Sequence, residues 1–266
     1  MRSLCTIVLL LASVSTVFAQ LAPPNDAGVS LGHIHFVVPD PEATKKAWVD
    51  VFGAIPGKAG SLDLLKLPGI FIIVSKANMP PTGGTNGSVV NHIGIAVKDY
   101  SDIKAKAAAA GLMWRDLGTN NDQAFVTFPE AVTVEVMVIK DQATPVAFHH
   151  VHESVPDGDA ARAWYMKEFG AASGTRRNLP AAMMPGGEEV DFLKAQMPAV
   201  GTKGRSLDHI GFEVTDLAAT LKKLDADGVT INMPLRDMTK QIGLQIAFIT
   251  DPNGTYIEVT QGLAGK

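Results

Sequence analysis

The sequence predicts an α+β protein: four βαβββ modules paired into two cup-shaped, curled mixed-sheet domains. Three observations carry this. His33, His92, His150 and His209 each open an apolar, strand-like run, the first two 59 positions apart and the last two also 59. Each run leads through a polar turn into a helix-like stretch closed by Gly53, Gly111, Gly170 or Gly228. About three strand-like runs then follow in each module. One such module cannot bury both faces of its sheet, whereas two together curl around a concave face suited to a ligand.

The elements follow in order. The first module has a strand at His33–Val38, a helix at Pro41–Phe52 and a closing strand at Gly69–Val74; Pro39-Asp40-Pro41 supplies helix-start chemistry. The second has Ile93–Val97, a helix at Ser101–Ala110, and strands Ala124–Phe128 and Val132–Val138. The third has His150–Val155, a turn at Pro156-Asp157-Gly158-Asp159, a helix at Asp159–Phe169 and a strand at Val190–Leu193. The fourth has Ile210–Val214, a helix at Leu217–Asp227, and strands Leu244–Ile249 and Thr255–Thr260. The four glycines suit the left-handed residue that ends many helices.

Internal similarity divides the chain into halves at 30–141 and 147–261, joined by the polar segment Lys140–Pro145. Ala47-Trp48 resembles Ala163-Trp164, and Lys76-Ala77-Asn78-Met79-Pro80 resembles Lys194-Ala195-Gln196-Met197-Pro198. Asn91-His92-Ile93-Gly94 resembles Asp208-His209-Ile210-Gly211. Trp48 and Trp164 read as core packing. Met183-Met184 and Met233 fall in loop-like stretches, where they suit gap filling or an apolar mouth.

Residues 1–19 read as an export signal: Arg2, an apolar run from Thr6 to Val17 too short to span a bilayer, and a small-residue cleavage site at Val17-Phe18-Ala19. The expected mature chain starts at Gln20 and is periplasmic or secreted. The lone cysteine, Cys5, lies in that signal, so the mature chain has no thiolate ligand or cysteine nucleophile. A net charge of −4 without a basic stripe excludes nucleic acid as an expected partner, and no other run is long enough for a membrane span. The glycine-rich stretches do not sit between a strand and a helix, which excludes a phosphate cradle.

The segment Asp251-Pro252-Asn253-Gly254-Thr255-Tyr256-Ile257-Glu258-Val259, with Asp208-His209-Ile210-Gly211 and Trp164–Gly170, resembles the vicinal oxygen chelate superfamily of glyoxalases, bleomycin-resistance proteins and extradiol dioxygenases. Pro129-Glu130-Ala131-Val132-Thr133-Val134-Glu135-Val136 is a worn copy of the first stretch. The resemblance implies one divalent ion (Fe, Mn, Ni or Zn) held by His150, His209 and Glu258, with a possible second site at His33, His92 and Glu135. Imidazole and carboxylate donors suit such ions.

His35 and His152 share a strand face with His33 and His150, so either can serve as ligand or acid–base group. His149 is expected on the opposite face, at the surface. Glu213 shares the His209 face and is a candidate general base beside Glu258 and His152. Asp191, with Glu189 on its face, stands where glyoxalase-type sites place a further ligand; its counterpart is Ile73. The expected function is an exported metal-dependent enzyme, glyoxalase- or dioxygenase-like, acting on a small oxygenated substrate chelated to the metal. The catalytic Tyr of ring-cleaving relatives is replaced by Phe248, which counts against catechol cleavage. A metal-free sequestration protein of the bleomycin-resistance type is the alternative, and a duplicated scaffold with structural histidines is a third. Two cups in one chain suit a monomer or weak homodimer.

Overall fold

The computed structural model describes residues 20–266; the expected export signal lies outside the described residues. Four modules follow one another. The first comprises β1 (Val29–Val38), α1 (Pro41–Phe52), β2 (Ile55–Ala59), β3 (Leu62–Leu67) and β4 (Ile70–Lys76). The second comprises β5 (Val90–Val97), α2 (Tyr100–Ala109), β6 (Met113–Asp116), β7 (Gln123–Phe128) and β8 (Val132–Val138). The third comprises β9 (Val146–Val155), α3 (Gly158–Phe169), β10 (Ala172–Arg176), β11 (Leu179–Met183) and β12 (Glu189–Lys194). The fourth comprises β13 (Leu207–Val214), α4 (Leu217–Ala226), β14 (Thr230–Asp237), a short α5 (Thr239–Ile242), β15 (Gln245–Thr250) and β16 (Tyr256–Gln261).

The helix boundaries follow from capping. Asp40, Asp99, Asp157 and Asp216 precede the four module helices, and each carboxylate accepts a backbone N–H three residues on, at Ala43, Asp102, Ala160 and Ala219. Each such cap contributes about 1 kcal/mol. Gly53 and Gly170 close α1 and α3 with left-handed backbone, φ 69° and 66°.

The sixteen strands form two open eight-stranded mixed sheets, ordered β14-β15-β16-β13-β1-β4-β3-β2 and β10-β11-β12-β9-β5-β8-β7-β6. The halves 30–141 and 147–261 are therefore not the cups. The first sheet joins modules one and four through antiparallel β1–β13, and the second joins modules two and three through antiparallel β5–β9. Connection length explains the exchange. The longer links over 77–89 and 195–206 carry the chain between sheets, whereas the shorter link over 139–145 leaves module three beside module two.

One face of each sheet packs on the helices in a common core. Trp48 lies against Phe36, Phe52 and Phe128, and Phe169 stacks on Phe212 with ring centroids 4.2 Å apart. Trp164 is only half-buried; Tyr165, fully buried against Phe192 and Phe212, takes the place expected for it. Met183 and Met233 lie within β11 and β14 rather than in loops. A second apolar cluster, with Leu21, Ala59, Leu64, Phe71, Ile73, Leu244 and Leu263, is separate from the main core.

The two sheets are also tied by a buried carboxylate. Glu153 on β9 accepts hydrogen bonds from Tyr165 Oη and Thr255 Oγ1, both at 2.8 Å, the latter from the turn before β16. Burial, reinforced by Asp251, raises its pKa well above the ordinary carboxylate value. A raised folded-state pKa means the native protein holds this proton more tightly than the unfolded chain. Stability is thus greatest below the ordinary carboxylate pKa and falls as pH rises through that of the folded state, by up to about 1.4 kcal/mol per pH unit in that window. Denaturant unfolding measured across pH 4–9 should show this decline in the wild type and a flatter profile in Glu153→Gln.

Candidate metal centres

The antiparallel contacts at the sheet centres bring histidines from both halves together. His35 is directly opposite His209 across β1–β13, and His92 is opposite His152 across β5–β9. The last strand of a module adds a carboxylate: in parallel pairing Glu258 lies beside Gly211, and Glu135 beside Gly94. Two cages result. One contains His33, His35, His209 and Glu258, the other His92, Glu135, His150 and His152; in each, the four donor atoms lie within 4.8 Å of one another.

The sequence-based trio is therefore split. His209 and Glu258 meet in the first cup, but their partner is His33; His150 belongs to the second cup with His92 and Glu135. The change follows from the pairing of modules one with four and two with three. His35 and His152, expected as substitutes or acid–base groups, are cage members.

In the first cup Glu258 Oε2 is 2.9 Å from His33 Nε2 and 3.2 Å from His209 Nε2. Neither ring nitrogen of His33 has an aligned hydrogen-bond partner, although the side chain is fully buried. The close but misaligned nitrogen and oxygen are arranged as two ligands aimed at a third point. His209 Nδ1 is 2.7 Å from Asp208 Oδ1, and His35 Nε2 is 2.7 Å from Ser75 Oγ, second contacts that orient the rings.

The electrostatics fit a divalent cation. Burial lowers the pKa of His33 and of His35, keeping them neutral. Burial pulls His209 down too, but Asp208 and Glu258 outweigh it and raise its pKa. Glu258 is pushed up by burial, yet His209 and His33 hold it well below its ordinary value and ionised. Neutral imidazoles at His33 and His35 beside an ionised carboxylate are donors such an ion requires, and His209 would give up its proton as the ion binds.

In the second cup Glu135 Oε2 lies 3.0 Å from His92 Nε2 and 3.2 Å from His150 Nε2, and His152 Nδ1 is 3.1 Å from His92 Nε2. Burial takes His152 down to about 3. Asp191 is also buried here; burial and the neighbouring Glu189 take it up to about 8. A basic residue enters as well: Arg176 Nη1 lies 2.7 Å from His150 Nδ1 and 2.9 Å from Asp191 Oδ2.

Two further expectations change. Glu213 does share the His209 face, but its carboxylate accepts from Thr260 Oγ1 at 2.6 Å and from the Gly262 N–H at 2.8 Å, which commits it to the C-terminal segment. His149 is not a surface residue of the opposite face. It occupies a bulge in β9, where the partner of Gly94 is His150 and that of Ile95 is Phe148, and its Nδ1 is 3.2 Å from His150 Nδ1. A bulge redirects side chains that strict alternation would separate. Asp208, Ser75 and Arg176 were not assigned roles from the sequence. Asp208 and its counterpart Asn91 are visible as a repeated polar residue before a histidine; Arg176 lies on an exposed strand without apolar alternation.

Residues 147–259 match the family model of the Glyoxalase/Bleomycin resistance protein/Dioxygenase superfamily. The sequence match to this superfamily thus spans the C-terminal half of the chain. Solved structures extend the likeness in fold to both halves. Glyoxalase I from Zea mays superimposes with a TM-score of 0.70 at 16% identity, covering 89% of this chain and 94% of that one. A putative dioxygenase from Bacillus subtilis gives 0.62 at 15% identity, covering 91% and 86%. No curated protein sequence matches. Among the described residues no helix is long and apolar enough to cross a membrane.

Glycine in the repeated His-Ile-Gly motif has a steric cause. A Cβ on Gly211 would stand 2.0 Å from His33 Cε1, and one on Gly94 would stand 1.9 Å from His150 Cε1. The imidazole of the neighbouring first strand lies over the bare backbone. Gly211→Ala should displace His33 from Glu258 and weaken Zn2+ binding in the first cup at least tenfold by calorimetric titration, at a stability cost of about 1–3 kcal/mol.

Proposed function

We propose that the protein is an exported, metal-dependent enzyme of the vicinal oxygen chelate type, glyoxalase- or dioxygenase-like, whose working site is the first cup. The observation that carries this reading is the convergence of His33, His209 and Glu258 on one point, with an ionised carboxylate and a buried, neutral His33 left without aligned partners. A divalent ion there supplies Lewis-acid help to a small substrate that presents one or two oxygens.

The chain's own residues define the rest. His33, His209 and Glu258 are the proposed ligands. Phe248, with its ring centroid 5.0 Å from that of His209, brings an apolar ring where a ring-cleaving relative has a phenol. Proton transfer then falls to His35, whose ring is 4.4 Å from His209 and whose Nδ1 has no partner. This arrangement favours an isomerase- or lyase-type proton shift over ring cleavage. Phe71 and Ile73, opposite His33 and His35 in register, belong to the separate apolar cluster and suit a substrate with an apolar body. A single chain holds both modules of the cup, so activity is expected of the monomer.

Metal analysis of protein purified without chelator tests the reading. Wild type should carry bound metal, and Glu258→Gln and His209→Ala should each reduce first-cup occupancy at least tenfold. Unchanged content in both variants, or a wild type that binds no divalent ion, would overturn it; the latter would favour metal-free sequestration.

Export is the second part of the proposal. It rests on the charge and apolar pattern of residues 1–19 and is supported by the integration of Gln20, whose side-chain amide donates to the carbonyls of Leu67 and Ile70 at 2.7 and 2.6 Å. N-terminal sequencing of the exported protein should begin at Gln20, and an intact Met1 would sink the assignment.

A further inference from the structure

The two cages share ligand types, but among the described residues only the second has a permanent cation of the protein against it. Arg176 is the last residue of β10, and its side chain is 12% exposed. Nη1 reaches His150 at 2.7 Å and Asp191 at 2.9 Å, while Nη2 lies 3.5 Å from Glu135 Oε1. It thus touches two members of the cage, His150 and Glu135, and is anchored by a third buried group. A guanidinium has no acceptor and stays charged in proteins, so the imidazole it approaches must remain a neutral acceptor.

The surroundings consolidate this position. Gln123 donates to Glu135 Oε1, and Arg177 Nη1 donates to Gln123 Oε1 at 2.6 Å. The first cup supplies an internal control, because repeat-equivalent positions differ. Arg176 corresponds to Ala59, each ending the first strand after its helix. Asp191, opposite His152, corresponds to Ile73, opposite His35. Gln123 corresponds to Ile246, since Phe125 faces Glu135 as Phe248 faces Glu258. All three substitutions that place and anchor the guanidinium occur in one cup.

We propose that Arg176 is the resident cation of the second cup, seated against the metal-ligand cage and competing with a divalent ion, so that the chain holds one such ion tightly, in the first cup. The inference rests on the metal reading of the first cup. Like charges a few ångströms apart in a protein interior repel strongly enough to change an affinity by more than tenfold. The second cup is therefore stabilised without metal: the buried, ionised Glu135 has a counter-charge supplied covalently by the chain.

The test is calorimetric titration of chelator-stripped protein with Zn2+. Wild type should bind one ion. Arg176→Met should bind two, with the second affinity at least tenfold above any second event in wild type. Arg176→Lys, which keeps the charge, should stay at one. Glu258→Gln in the Arg176→Met background should lose the first ion and keep the second, which assigns each event to its cup. Two comparable ions in wild type, or a single ion in folded Arg176→Met, would overturn the inference while leaving the first-cup reading intact. Absence of binding in every form would remove both. Far-ultraviolet circular dichroism and thermal unfolding confirm folding, and Arg176→Ala, which copies the side chain at position 59, provides a second variant.

Discussion

The antiparallel pairing of first strands across the two halves is the constraint on which the rest depends. In each sheet two such strands meet at the centre, β1 with β13 and β5 with β9, and the final strand of a module runs parallel beside one of them. That register places a carboxylate beside a glycine on the next strand and leaves the space above the glycine for an imidazole from the strand beyond. Three neighbouring strands thus deliver donors to one point without a loop. Burying a carboxylate at such a point is costly unless opposite charge or good hydrogen bonds accompany it. Glu258 and Glu135 are both buried and both held ionised by two histidines, so each cage is a place where the fold itself calls for positive charge.

Much of this was legible in the chain. The module helices and their stops follow from local signals, Asp40 and Asp157 at the starts and Gly53 and Gly170 at the ends, because capping is a short-range interaction. The ligand residue types were legible too, since they recur at fixed spacing. The grouping was not. Whether His150 meets His209 or His92 depends on which modules share a sheet, and that is decided by the reach of the links over 77–89 and 195–206, not by anything near the histidines. The edge strands β2, β6, β10 and β14 also escaped, for a physical reason: an edge strand such as Ala172–Arg176 is largely exposed and shows no apolar alternation. Arg176 was lost with it. The slip by one residue between Trp164 and Tyr165 has a similar origin, because the aromatic that fills the core is decided by helix phase rather than by identity with Trp48.

The comparison of the two cups shows how one architecture can diverge without moving its backbone. Both retain three histidines and one glutamate at equivalent places, so the difference resides in the surrounding side chains. Around the first cage Ala59, Ile73 and Ile246 are apolar, and the paired strands there continue into a cluster with Leu64, Phe71, Leu244 and Leu263. An apolar surround makes an unsatisfied carboxylate–imidazole set expensive and strengthens its attraction for an external cation, because little water or protein charge competes. Around the second cage Arg176, Asp191 and Gln123 supply donors and charge from within. The same buried glutamate thus stands in two different surroundings, one apolar and one that carries a positive charge of the chain's own. The three residues that distinguish the second cup are mutually supporting: Asp191 anchors Arg176, Arg176 approaches Glu135, and Gln123 completes the Glu135 shell under the hold of Arg177.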